Sequence, residues 1–374
     1  MRVSIYGDGP TLGSGYGKVA YYLGKELIKR GFKVSWLSLQ YGTGRPIPFE
    51  DGEIWPGDPM SLDASLRETK PDILLHIRDN WVFTRDFYNS PYSFTRYWDT
   101  LKFKQINYTP VQCVPLPQSF VQSVTTEAHL TLITSRWGSD WLRSAGVPSD
   151  RVDYLYNGVD QSIYKKSDDE VPDFPKRFMF VGANYDYRKN IPTLLKAFKM
   201  YLSAADDPDA QLYIHANLIG HYSLPAFISA LGLDKKNVLF KSNQSVKNFG
   251  YGVDEASLVA LYNWANVYVT PTISEGFNMP ALEAEMIGLP VVLTDFPVHR
   301  ELFNRFDRTY FVPAVQDYAT VWGFEWFSRT DDLLRKMTLA KPGRVERDSS
   351  KFTEFLWSNI ADRFIRLIGE NLGL

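Results

Sequence analysis

Val267 to Asp295 reads VYVTPTISEGFNMPALEAEMIGLPVVLTD. VYVTPT is a β-branched run of the kind that fills a buried strand. Pro280 suits the first turn of a helix, Gly288 its stop with Pro290 beyond, and PVVLTD returns to a strand. Strand, helix and strand in that order make a parallel crossover unit of an α/β protein. At the loop-to-helix junction Glu275 and Glu283 lie eight residues apart. The first would stand in the loop facing the helix N-terminus, and Glu283 would project from about the first turn, where backbone N–H groups and the macrodipole favour an anion. A diphosphate held between them, with one carboxylate reaching sugar hydroxyls on each side, makes this a candidate site for a sugar nucleotide. The same residues also fit an ordinary amphipathic helix that packs Leu282, Met286 and Leu289 inward. Glu285, two positions from Glu283 and on a nearly opposite face, reads as solvated.

Outward from this stretch, short apolar strands and longer helical patterns alternate along the whole chain, which indicates two doubly wound parallel-sheet domains. The first, residues 1–160, opens with RVSIYG, passes a Gly-rich loop and enters a helix near Lys18. Residues 161–176 lose apolar periodicity, gather charge and proline, and read as a linker. The second domain, 177–351, starts at FMFVG and contains the quoted unit. A last helix, 352–374, keeps apolar residues at Phe355, Leu356, Ile360, Phe364 and Ile368.

At 374 residues the chain can build two cores. A net charge of −2, from 41 basic and 43 acidic residues, supplies no general attraction to nucleic acid. The lone cysteine, Cys113, excludes an internal disulfide and a cysteine-based zinc cage, and reads as packing. MRVSIYGDG begins a strand directly and no run of about eighteen apolar residues occurs, so the expectation is a cytoplasmic protein with at most peripheral membrane contact. That contact would rest on Lys18, Lys25, Lys29, Arg30 and Lys33, which equally fit a solvated helix face.

Three further stretches carry chemistry. GDGPTLGSGYGKV places Gly13, Gly15 and Gly17 where backbone can approach an anion, but it is neither a dinucleotide fingerprint nor a P-loop. In VGANYDYRKNIPTLLKAF, Arg188 and Lys189 end a loop, and Asn190 can cap a helix with Pro192 in its first turn. Two cations there run against the helix dipole, and a bound anion would resolve the conflict. Arg78 and Asp79 follow the strand DILLHI, where ligands gather in parallel sheets; Asp79 could orient or deprotonate an acceptor hydroxyl, or an ion pair could simply tie the loop down. Trp81 belongs to the same aromatic loop, and His76 falls within the strand, hence the core. Asp206 to Asp209, DDPD, reads as a solvated turn.

In chain order, the glycine loop, NGVD at Asn157 to Asp160 followed by Tyr164, RKN, Glu-x7-Glu and SNIADRFIRLI resemble the retaining glycosyltransferases of the GT-B fold, especially family four. That resemblance covers essentially the whole chain. It implies two Rossmann-like domains facing a central cleft, with the last helix packing back on the first domain. By the resemblance Glu275 contacts the transferred sugar and Glu283 holds the ribose. Arg188, Lys189 and the Gly276, Phe277 and Asn278 backbone take the leaving diphosphate, and Gly13 and Gly15 face the donor. The sequence departs from many relatives at Ala183, where they have Arg, and at Asn190 and Asn278, where they have Gly. The implied reaction is retaining transfer from a nucleoside diphosphate sugar, with no metal and no cofactor. The acceptor, whether glycan, lipid, protein or small molecule, is left open. Alternatives are an epimerase or phosphorylase on the same scaffold, a nucleotide-sugar binding protein without catalysis, and a glycosyltransferase of DNA bases, for which Lys102, Lys104 and Arg96 are the basis.

Overall fold

The computed structural model describes residues 1–79, 82, 94, 97, 100–169, 171–240, 254–320 and 322–374. The chain divides into two compact units, one of Met1–Gly158, Val321–Gly323 and Glu354–Leu374, the other of Val159–Thr320 and Phe324–Thr353. The stretch read as a linker belongs to the second unit.

The first unit is built on an eight-stranded sheet in the order β3-β4-β2-β1-β5-β6-β7-β8. Its strands are β1 (Arg2–Gly7), β2 (Lys33–Ser38), β3 (Ile47–Phe49), β4 (Gly52–Pro56), β5 (Ile73–Ile77), β6 (Lys104–Thr109), β7 (Leu130–Ile133) and β8 (Val152–Tyr154). All neighbouring pairs are parallel except the edge pair β3–β4. Strand β5 is buried at every residue, as expected of a central strand covered on both faces. His76 lies within it, 1 % exposed, against the rings of Tyr6 and Phe94. Helices α1 (Gly15–Lys29), α2 (Leu62–Thr69), α3 (Gln118–Thr126) and α4 (Arg136–Ser144) accompany the strands. The final helix, α11 (Trp357–Leu372), belongs to this unit. Trp357 stacks on Tyr22 of α1 at 5.5 Å and 8°, and Arg30 bridges to Asp362 at 2.6 Å and to Ser358 O at 2.8 Å. Arg30 and Lys29 also pair with Glu26, and Lys25 donates to Tyr21, so these cations of α1 are engaged within the chain.

The second unit has a six-stranded sheet, β11-β10-β9-β12-β13-β14, parallel throughout. Its strands are β9 (Arg177–Val181), β10 (Gln211–His215), β11 (Val238–Leu239), β12 (Val267–Thr270), β13 (Val291–Thr294) and β14 (Thr309–Val312), with helices α5 (Ile191–Ala204), α6 (Leu224–Ala230), α7 (Glu255–Trp264), α8 (Met279–Ile287), α9 (Pro297–Phe303) and α10 (Thr330–Leu339). A separate two-stranded ribbon, β15 (Ala314–Thr320) and β16 (Gly323–Ser328), was not anticipated from the sequence.

Two residues read as solvated are buried. Asp207 accepts the Lys176 N–H at 3.0 Å and the Tyr201 hydroxyl at 3.1 Å, so one carboxylate of the DDPD run ties the strand entry to α5. Beside it the Lys176 ammonium, 3 % exposed, donates to Met337 O, Thr338 O and Ala340 O and so closes the carboxyl end of α10. Glu285 is 0 % exposed, pairs with Arg347 at 2.7 Å and accepts the Thr309 hydroxyl at 2.7 Å. It does stand away from Glu283, but that face of α8 meets protein. Gly288 closes α8 at φ 94° and its carbonyl accepts the Val345 N–H at 3.0 Å, while Arg347 Nε donates to Glu285 O at 3.1 Å. Among the described residues no helix is long and apolar enough to cross a membrane.

Candidate functional site

Loops leave the carboxyl ends of the adjacent parallel strands β9 and β12, the position where ligands gather in open α/β sheets. After β9 the chain enters a 3-10 turn, Tyr187–Lys189, which Asp186 caps by accepting the Arg188 N–H. Asn190 follows in the left-handed region at φ 50° and opens α5. After β12, residues 271–278 lead into α8. Ile273 N–H donates to Arg188 O at 3.0 Å, which locks the two loops backbone to backbone.

Glu275 is the centre of this junction. Arg188 Nη1 donates to its Oε2 at 2.7 Å and to Ser274 O at 2.8 Å, while Lys189 Nζ donates to its Oε1. The Thr272 hydroxyl lies 3.1 Å from both Arg188 O and Glu275 Oε1. Burial alone would raise the Glu275 carboxyl, but Arg188 and Lys189 hold it down at about 2. Burial lowers Lys189, with Arg188 adding to that and Glu275 pulling it back up. The anion expected to offset two cations at the start of α5 is therefore supplied by the chain itself, as Glu275. Asp186 also lies 3.7 Å from Arg188 Nε, so two carboxylates face the two cations, and α8 aims its amino end at the same loop.

Asn278 caps α8 in the left-handed region, φ 79° and ψ 62°. Both Asn190 and Asn278 thus keep the backbone geometry for which glycine is the usual residue. Each is braced by its side chain. Asn190 Nδ2 donates to Pro271 O at 3.2 Å and its Oδ1 accepts the Thr193 hydroxyl at 2.7 Å. Asn278 Nδ2 lies 3.0 Å from His299 Nε2, and His299 Nδ1 lies 2.7 Å from Thr294 O. A carbonyl can only accept, so Nδ1 carries the proton and Nε2 accepts from Asn278. Burial pushes His299 down to about 4, which keeps the ring neutral.

Glu283 sits in the second turn of α8 rather than the first, 4 % exposed, and accepts the Tyr262 hydroxyl at 2.9 Å. Burial, with Glu283 adding, pushes the Tyr262 hydroxyl well above its ordinary range. Tyr164 packs edge-on against Tyr262 and donates to Glu255 at 2.8 Å. Glu283 therefore has a different set of partners from Glu275, though both lie on the same loop-helix unit.

Sequence reasoning missed Glu325, which lies on β16, is 4 % exposed and accepts the Ser274 hydroxyl at 3.0 Å and the Tyr187 hydroxyl at 2.9 Å. It clamps the loops that carry Glu275 and Arg188. Trp326 N–H donates to Ile273 O at 2.9 Å, and its ring stacks on Phe296, which stacks on His299 at 3.8 Å. An acid at an inward position of GFEWFS was the available signal; its partners lie 51 and 138 residues away. His299, five residues after β13, gave none.

In the first unit, Gly13 and Gly15 are exposed at the start of α1. Gly17 has a packing role, since a Cβ there would run into Leu12 O and Gly9 O. Ser14 caps α1 and donates to Asp8 at 2.5 Å. Arg78 lies 3.4 Å from Asp8, and Asp79 accepts the Tyr16 hydroxyl at 2.5 Å. An ion pair thus ties the loop to the residue after β1 through Arg78, while Asp79 is bound to a phenol. Trp81 and Arg96 lie outside the described residues. Among the described residues no cluster of three or more His, Cys, Asp or Glu is placed to hold a metal ion.

Residues 175–321 match the family described as glycosyl transferases group 1, and residues 13–162 match Glycosyltransferase Family 4; together they take in well over half the chain. The O-antigen chain mannosyltransferase RfbU of Salmonella typhimurium is 26 % identical over 200 residues, 50 % of this chain and 51 % of that protein. A phosphatidyl-myo-inositol mannosyltransferase of Mycobacterium leprae is 26 % identical over 197 residues, 52 % of this chain and 47 % of that protein. The chain spans about half the length of the curated relatives it matches. Among solved structures, sucrose-phosphate synthase of Thermosynechococcus elongatus superposes with a TM-score of 0.71 at 15 % identity, covering 100 % of this chain and 99 % of that one. HepE of Anabaena, in complex with UDP-glucose, superposes with a TM-score of 0.63 at 14 % identity, covering 100 % and 98 %.

Proposed function

Because the chain belongs to the glycosyl transferases of group 1 and has the GT-B fold, we propose that it moves a sugar from a nucleoside diphosphate sugar to an acceptor hydroxyl with retention at the anomeric carbon. The observation that carries this reading is the convergence of Arg188 and Lys189 on Glu275 at the loop that opens α8. Two cations and a helix amino end suit a diphosphate, and a carboxylate between them suits sugar hydroxyls. HepE bound to UDP-glucose supports a nucleotide-sugar donor on this fold.

In the proposed reaction the bond from the anomeric carbon to the diphosphate oxygen breaks, and its electron pair leaves with the nucleoside diphosphate. The acceptor oxygen bonds to the same face of the carbon, and its proton passes to the departing phosphate oxygen. Positive charge develops on the sugar and negative charge on the phosphate, so fixed electrostatics dominate the barrier. Arg188 and Lys189 would turn from Glu275 toward the diphosphate, freeing that carboxylate for the sugar. Glu283 would exchange Tyr262 for the ribose. These roles call on protein cations alone, so the scheme is metal-independent, and we place it in the cytoplasm. Asp79 is the acceptor-side candidate.

A panel of UDP-, GDP- and ADP-sugars in thermal-shift and donor-turnover assays tests the proposal. One donor at a hundred times its dissociation constant should stabilise the chain by about 2.7 kcal/mol, and Arg188→Ala should remove most of that shift. A chain that neither binds nor turns over any donor would overturn it.

A further inference from the structure

We infer that His299 is a positioning residue for the donor diphosphate, acting through Asn278; this rests on the reading of the α8 start as the diphosphate site. The backbone N–H groups that open α8 point at a ligand only while residue 278 stays left-handed. Asn tolerates that region better than other residues with a Cβ, yet less freely than glycine. Its carboxamide must therefore be held, and one side of it is. Asn278 Nδ2 donates to His299 Nε2, His299 Nδ1–H donates to Thr294 O at the end of β13, and the chain of contacts stops on a rigid strand. The imidazole itself cannot swing, because Phe296 stacks on one face at 3.8 Å and Phe303 meets it edge-on at 5.7 Å. His299 is 0 % exposed, so it reaches no ligand directly. It acts by keeping the loop Gly276–Asn278 in one conformation, a preorganisation of the kind that raises affinity without adding a contact.

The test is a double-mutant cycle on nucleotide affinity. His299→Phe keeps the ring in its stack but accepts no hydrogen bond, and Asn278→Gly supplies a residue that needs no brace. Dissociation constants for UDP, GDP and ADP are measured on the wild-type chain, H299F, N278G and the double variant, together with the ligand-free melting temperature of each. The expected result is that H299F weakens the preferred nucleotide by about tenfold in the Asn278 background, and by less than about twofold in the N278G background, whatever N278G does by itself. The loss of melting temperature caused by H299F should be larger in the Asn278 background, because Thr294 O loses its partner in both but Asn278 Nδ2 is stranded only there. An equal loss of affinity in both backgrounds, or none in either, would assign His299 to packing and overturn the inference alone. A wild-type chain that binds none of the three nucleotides would overturn the donor reading and this inference with it. Should H299F not fold, His299→Gln, which keeps one donor and one acceptor, must bind within about threefold of wild type.

Discussion

Replacing Glu275 by glutamine removes the charge that Arg188 and Lys189 share while nearly preserving shape. The Glu275 carboxyl falls from an ordinary 4.5 to about 2 in the folded chain, so at pH 7 its ionisation contributes about 3 kcal/mol to stability. Removing one partner from a buried ion pair leads to a similar figure, about 3–5 kcal/mol. Since the folded value lies below the unfolded one, the contribution is complete above the unfolded value and is lost as the pH falls through the folded one. At pH 3 only about 1 kcal/mol should remain. The assay is urea unfolding of wild type and E275Q at both pH values, followed by fluorescence and circular dichroism. The gap between the two chains should be near 3 kcal/mol at pH 7 and should narrow by about 2 kcal/mol at pH 3. A gap that is the same at both pH values, or below about 1 kcal/mol at pH 7, would refute the account of Glu275 as the internal counter-ion.

Three other substitutions probe the scaffold around that site. Lys176→Met strands three carbonyls at the end of α10 and should cost about 2–4 kcal/mol in chemical denaturation, with helix content retained. Glu285 moves the opposite way from Glu275. Burial lifts it to about 7 against the pull of Arg347, so the stability it brings is present below its unfolded value of 4.5 and lost as pH rises through 7; Glu285→Gln should flatten the stability profile there by about 3 kcal/mol relative to wild type. Gly288→Ala forces a side chain onto φ 94° and against Val345 O, and should lower stability by about 3 kcal/mol or more, seen as a lower urea midpoint.

The alternation of apolar strands and helices was enough to read the α/β class, because buried parallel strands carry their own signature in Val267 to Thr270 and Val291 to Thr294. Pro280 and Gly288 marked the bounds of α8 for equally local reasons. What local pattern could not supply was the identity of the neighbours. Glu285 was correctly placed opposite Glu283, but only the fold brings Arg347, 62 residues on, to cover that face. The conflict of charge at Arg188 and Lys189 was visible in sequence, whereas its internal answer, Glu275, lies 86 and 87 residues away. Asn190 and Asn278 looked like departures that weaken the site, and they are the residues that still reach the left-handed region through a side chain that can be braced. Glu325 stood out only as an acid within GFEWFS, and its partners Ser274 and Tyr187, like Arg347 for Glu285, are supplied by the fold alone.

The clamp formed by Glu325 sets a limit on how this chain can be recombined with its relatives. The family match ends at residue 321, yet the carboxylate that fastens Ser274 and Tyr187 lies four positions later, and the arginine that closes over α8 lies later still. A graft cut at the family boundary would transplant the Glu275 loop without two of its fastenings. Exchange of segments between this chain and its relatives should therefore move Arg177 through Arg347 as one piece.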